Sequence, residues 1–100
     1  MASMLGQSQY QLIGAITSIS KANPAVITLA AAARPIHPRV AVGVYVHVYS
    51  PGWALFDGYN PGTRLVNAVD AVNGTITIAA DTTAQVDTTI SPLAQVNMQN

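Results

Sequence analysis

The chain is 100 residues long, half of them apolar and only 8% charged, with four basic and four acidic side chains that cancel. That length allows one domain with a single modest core, and the lack of a basic stripe excludes phosphate-driven nucleic-acid binding, because Lys21, Arg34, Arg39 and Arg64 are scattered singly. With no cysteine there is no disulfide framework, thiolate nucleophile or Cys-based metal site.

Ordinary soluble domains carry charge on about a quarter of their residues. A surface so poor in charge, with a net charge near zero, tends to associate. The composition therefore favours assembly, as a homo-oligomer or with another protein, over the alternative of a small neutral domain kept soluble by Thr, Ser, Asn and Gln. The opening "MASMLGQSQYQL" lacks the basic and long apolar regions of a secretory signal, and the longest apolar run, "AVITLAAAA", is far short of a membrane span. The expectation is a protein made in the cytoplasm, with neither nucleic acid nor membrane as partner.

In chain order, residues 1–12 read as a Gln/Ser-rich arm with Met4, Leu5, Tyr10 and Leu12 as its apolar points. "AITSISKANPAVITLAA" follows, two β-branched runs around Asn23 and Pro24, which predicts a hairpin. "AAARPIHPR" is a loop, since Pro35 and Pro38 forbid both a sustained helix and a central strand. Residues 40–49 alternate strictly: Val40, Val42, Val44, Val46 and Val48 on one face, Ala41, Gly43, Tyr45, His47 and Tyr49 on the other. This predicts a strand whose valine face is core. "SPGWALFDGYNPGT" is a loop rich in turn residues and aromatics. "RLVNAVDAVNGTITIAAD" predicts a second hairpin around Asn73-Gly74, and "AQVDTTI" a short last strand. The tail "LAQVNMQN" offers Leu93, Val96 and Met98 as anchors. Several short strands with turn residues between them predict an all-β fold, a small antiparallel sandwich or barrel of about six or seven strands with extended N- and C-terminal arms. Its divisions are an arm over 1–12, a β domain over 13–90 and a tail over 91–100.

Chemistry has few places to reside. Asp57, Asp70, Asp81 and Asp87 are the only acids, and no two share a short spacing on one strand face. "DTTAQVD" lacks the dense Asp/Asn/Gly alternation of a calcium loop. His37 and His47 fall on a loop and a strand with no evident nucleophile or orienting partner, and two histidines cannot complete a zinc site. The expectation is no catalytic residue, no metal and no cofactor. The informative cluster is aromatic: Tyr45, Tyr49, Trp53, Phe56 and Tyr59, five of the six aromatics in the chain. It can cap the open end of the core, form a protein contact in which Tyr and Trp are favoured anchors, or stack on a sugar with Asp57 and Asn60 as polar partners. The candidate protein-contact residues are Met4, Leu5, Tyr10, Tyr45, His47, Tyr49, Trp53, Phe56, Tyr59, Leu93, Val96 and Met98.

"ITSISKANPAVITLAAA" is similar to the opening of a β-rich module of tailed-phage virion proteins, in which such a strand leads to a histidine-bearing loop, a strand of alternating valines and an aromatic loop. Here that last loop resembles "PGWALFDG", and "LVNAVDAVNGTITIAADTT" resembles the end of the module. The resemblance covers roughly residues 13–83. It departs from the module at Pro38, where a glycine is usual after the loop histidine, and in a longer aromatic loop. The module is likened to the first catalytic cysteine half-domain of ubiquitin-activating enzymes, a likeness of shape alone in a chain without cysteine. The resemblance implies a virion structural protein, made in the host cytoplasm and assembled on the particle. Its expected role is a capsid decoration or cement protein on the major capsid protein, its arms clamping neighbouring subunits or adding a strand to an exposed edge. A phage tail or head-tail connector component is the second reading, and a carbohydrate-binding module using Trp53, Tyr59 and Asp57 the third.

Overall fold

Each strand finds a neighbour on both sides. The computed structural model describes residues 10–57 and 63–99, which hold six strands: β1 (Tyr10–Ile19), β2 (Ala25–Leu29), β3 (Tyr45–Tyr49), β4 (Thr63–Asp70), β5 (Thr75–Ile78) and β6 (Gln95–Gln99). All pairings are antiparallel, and the order β1-β2-β5-β4-β3-β6 closes on itself as a barrel. The all-β expectation holds.

Alternation builds the interior. Ala25, Ile27 and Leu29 of β2, Val46 and Val48 of β3, Ile76 and Ile78 of β5, and Val96 and Met98 of β6 all point inward, every second residue. β1 and β4 depart from this rhythm because they turn the corners. Residues 10–15 of β1 pair with β6 and residues 16–19 with β2, while β4 passes from β3 to β5 after Leu65. The register of β1 skips a residue between Leu12 and Gly14 and again between Ile16 and Ser18, and that of β4 skips one between Val66 and Ala68. An extra residue bends a strand and increases its twist. It also shifts the inward phase, so Ile13, Ile16 and Ile19 are all buried although three apart. Gly14 lies at this bend beneath the 3-10 turn Ala31–Ala33, where a Cβ would collide with the Cβ of Ala33.

Loops close both ends. At one end Ile36 and Val40 are buried, with the amide of Ile36 donating to the Ala71 carbonyl. At the other, residues 50–56 fold inward through Ser50 N–H to Phe56 O, Trp53 N–H to Ser50 O and Phe56 N–H to Trp53 O. This places Trp53 and Phe56 in the core with their rings 6.5 Å apart. The strap between β5 and β6 crosses the same end. The Trp53 indole donates to Thr89 O at 3.1 Å, and Gln85 receives Ala54 N–H and donates to Gly52 O and Asp87 O. The buried Thr82 hydroxyl lies 2.6 Å from Ser20 O and accepts Ala22 N–H at 3.0 Å, fastening the strap to the β1–β2 turn.

Three sequence expectations are corrected. Residues 10–12 and 95–99 are not arms but the start of β1 and the whole of β6, which pairs with β1 on one side and β3 on the other. The valine strand begins only at Tyr45. Hydrogen bonds from Val40 N–H to His37 O and from Val44 N–H to Ala41 O make turns of the preceding residues and leave Val42 exposed. "AQVDTTI" is no strand, because Asp81 and Asp87 bond the backbone two residues on, competing with a ladder. The β1–β2 and β4–β5 hairpins form where expected.

Trp53 closes the core with both its area and its indole N–H. Trp53→Ala is expected to lower unfolding free energy by about 3–5 kcal/mol in denaturant titration, the usual cost of an aromatic cavity; a loss under about 1 kcal/mol would contradict its place in the core.

Candidate interaction surface

The outward positions of β1, β6, β3 and the first turn of β4 form a continuous wall. Register sets its rows: Leu12 lies beside Asn97, Asn97 beside His47 and His47 beside Thr63, with Tyr10 beside Gln99, Tyr49 beside Gln95 and Tyr45 beside Leu65. β6 runs between β1 and β3, and above it the Tyr10 and His47 rings meet edge to face with centroids 5.7 Å apart. Such pairs add about 0.5–1.5 kcal/mol beyond burial, which fixes both rings on the wall.

The wall mixes large apolar side chains with uncharged polar ones. Tyr10 is 51% exposed, Leu12 60% and Tyr45 61%, whereas His47 and Tyr49 are half-buried. Between them stand the amides of Gln95, Asn97 and Gln99, and no Lys, Arg, Asp or Glu stands among the described positions of β1, β3 and β6. Arg39 sits at the rim, donating to Gln11 Oε1 at 3.1 Å and to Gln99 O at 3.0 Å, and so ties the loop before β3 to both β1 and β6. Arg64 turns the other way. It lies 5.5 Å over the Phe56 ring and donates to Leu55 O at 3.2 Å.

Of the residues singled out from sequence, Tyr10, Tyr45, His47 and Tyr49 come together on this wall. Leu93 is exposed on the turn before β6. Trp53, Phe56, Val96 and Met98 are corrected: all four are buried in the barrel interior, where they contact this chain and not a partner. Met4, Leu5 and Tyr59 lie outside the described residues. Leu12 and Leu65 were not singled out as contacts; alternation relative to a recognised β1–β6 pairing would have placed Leu12 outward. Burial of Trp53, with its indole N–H on Thr89 O, also takes Trp53 out of the sugar-stacking reading, whose other ring, Tyr59, lies outside the described residues.

The polar groups serve the fold. His37 Nδ1 accepts Arg39 N–H within its own loop, and Ser50, buried after β3, faces the interior while His47 faces the wall. Among the described residues no three His, Cys, Asp or Glu side chains converge on a common point. A groove of about 240 Å³ beside β1, lined by Leu12, Gly14, Ala30, Ala32 and Ala33, has no polar side chain to orient a ligand.

Three exposed carboxylates each clamp a turn. Asp70 is held below the usual carboxylate range chiefly by the Asn73 side-chain amide, Asp81 by the Thr83 hydroxyl, and Asp87 by the Thr89 backbone N–H.

Compared with known proteins, the chain matches no family model, no curated protein and no solved structure.

Because the fold favours the ionised form of these three carboxyls, the stability they add is complete above the ordinary carboxylate pKa. It is lost as pH falls through their lowered folded values. Thermal stability is therefore expected to be flat from neutrality to about pH 5 and to fall below about pH 4. Carboxyl NMR titration should place Asp70, Asp81 and Asp87 below the free Asp value; any of them at or above that value would contradict the clamp assigned to it.

Proposed function

We propose that this chain is a non-enzymatic structural protein of a tailed-phage virion, a capsid decoration protein that binds the major capsid lattice through the wall of β1, β6 and β3. The observation that carries this reading is the wall itself: exposed Tyr10, Leu12 and Tyr45 on a surface with almost no charge. Isolated apolar residues on a surface need no explanation, but three large exposed ones gathered on one uncharged face, with only amides between them, suit a contact site. Tyrosines braced by neighbouring strands suit such a contact, because they bring large area with little side-chain entropy to lose. A closed barrel offers its face in place of an edge, and a standard interface of about 1,600 Å² gives stable attachment.

The capsid as partner rests on the resemblance of "ITSISKANPAVITLAAA" and "LVNAVDAVNGTITIAADTT" to the phage virion module. The near-neutral composition supports it, since a lattice-bound protein does not depend on charge for solubility as a free monomer does. Attachment through the wall replaces attachment through arms. The segment expected to be a tail contains β6, so cutting it away would remove a strand of the barrel.

The test pairs binding with location. On capsids lacking this protein, Leu12→Lys and Tyr45→Glu are each expected to cost about 2 kcal/mol of binding, as substitutions at a contact centre do, with little change in melting temperature because both side chains are exposed. Undiminished occupancy by both variants would refute the wall as the docking face. Reconstruction of particles should find copies over the shell; copies confined to the portal or tail would establish the connector reading, and absence from particles would overturn the virion assignment.

A further inference from the structure

The turn between β4 and β5 contains the only Asn-Gly pair in the chain, Asn73-Gly74. This pair is chemically labile. The Gly74 backbone nitrogen can attack Asn73 Cγ, forming a succinimide as the Cγ–Nδ2 bond breaks and ammonia leaves. Water then opens the ring to aspartate or isoaspartate. Glycine presents no Cβ to hinder the attack, and Asn73 is exposed to the water that completes the reaction.

Three contacts oppose this reaction. Asn73 Nδ2 donates to Asp70 Oδ2 at 2.8 Å, and Asn73 N–H donates to Asp70 Oδ1 at 3.2 Å, so one carboxylate holds both the side chain and the backbone of the asparagine. The Gly74 N–H, which must lose its proton to become the nucleophile, donates to Asp70 O at 2.9 Å. Gly74 itself is buried at φ 73°, with its carbonyl accepting Leu29 N–H at 2.8 Å. The Arg34 side chain lies so close that a Cβ on Gly74 would come 2.5 Å from Arg34 Nε. Arg34 is fixed there by two hydrogen bonds to Leu29 O, at 2.8 and 3.2 Å.

We propose that Asn73 is a latent deamidation site and that Asp70 is the latch that keeps it unreacted in the folded chain. To react, the asparagine must leave the carboxylate and the glycine amide must leave the Asp70 carbonyl, which requires the turn to open. Once formed, a side-chain carboxylate at position 73 cannot restore the Nδ2 bond to Asp70, because it has no hydrogen to donate and faces Asp70 with like charge. The modification is thus self-sustaining, and it moves a net-neutral chain to a net charge of −1. This inference is independent of the assignment to a virion.

Peptide mapping by mass spectrometry after mildly alkaline incubation tests it, on the folded full chain, the same chain in urea, and folded Asp70→Ala and Asp70→Asn. Thermal melts confirm that each variant is folded, and Asp70→Asn keeps the side-chain shape should Asp70→Ala fail to fold. Conversion at Asn73 in urea is expected to exceed that of the folded chain by at least about tenfold, a difference of one pre-equilibrium opening step. Conversion in the folded variants should rise severalfold over the wild type. Folded wild-type chain converting as fast as unfolded chain would overturn the protection, and folded Asp70 variants converting no faster than wild type would overturn the role of Asp70.

Discussion

The structure depends on β6 lying between β1 and β3. All five of its residues pair with β1, from Gln99 beside Tyr10 to Gln95 beside Ala15, and Gln95, Val96 and Asn97 pair also with β3, beside Tyr49, Val48 and His47. Without β6 the remaining strands would form an open sheet with two unpaired edges and an interior missing Val96 and Met98. Closure also needs the sheet to bend, and the bends fall in β1 and β4, the two strands that change partners midway. Bulges at sheet corners are how a strand serves two sheets.

A short barrel is open at both ends, and large loop side chains must close it. Trp53 and Phe56 fill one end under a strap fastened by Thr82, Gln85 and the indole N–H, while Ile36 and Val40 fill the other. The aromatics of the loop thus divide their labour by position. Those after β3 turn inward and complete the core, and those on β3 itself, Tyr45 and Tyr49, stay on the wall with His47 and Tyr10. Packing therefore leaves a particular surface outside: ordered rings and amides, with hardly a charge to keep a partner away.

Much of this was legible in the sequence, and the misses have physical causes. The hairpins could be read because Asn23-Pro24 and Asn73-Gly74 interrupt β-branched runs, and the inward valines of β3 because period two is unmistakable. The start of β1 is not legible in the sequence, because its bulges break that period at Ile13 and Thr17 and hide the first residues of the strand. β6 was hidden because Gln95, Asn97 and Gln99 suggest a solvated tail; their alternation with Val96 and Met98 is as regular as that of β3 but only two apolar residues long. Trp53 could not be assigned inside or outside by any local pattern. Its burial depends on Thr89, thirty-six residues later.

The most direct test of this account is backbone amide hydrogen exchange in β6 measured against β2 and β5. If β6 is a full member of the barrel, its slowest amides should exchange only through global opening, with the same protection as those of Ile27 and Ile76 in the interior strands. Amides of β6 that exchange as quickly as those of a free tail, while β2 and β5 remain protected, would contradict the closed barrel and return the last residues to the role of an arm.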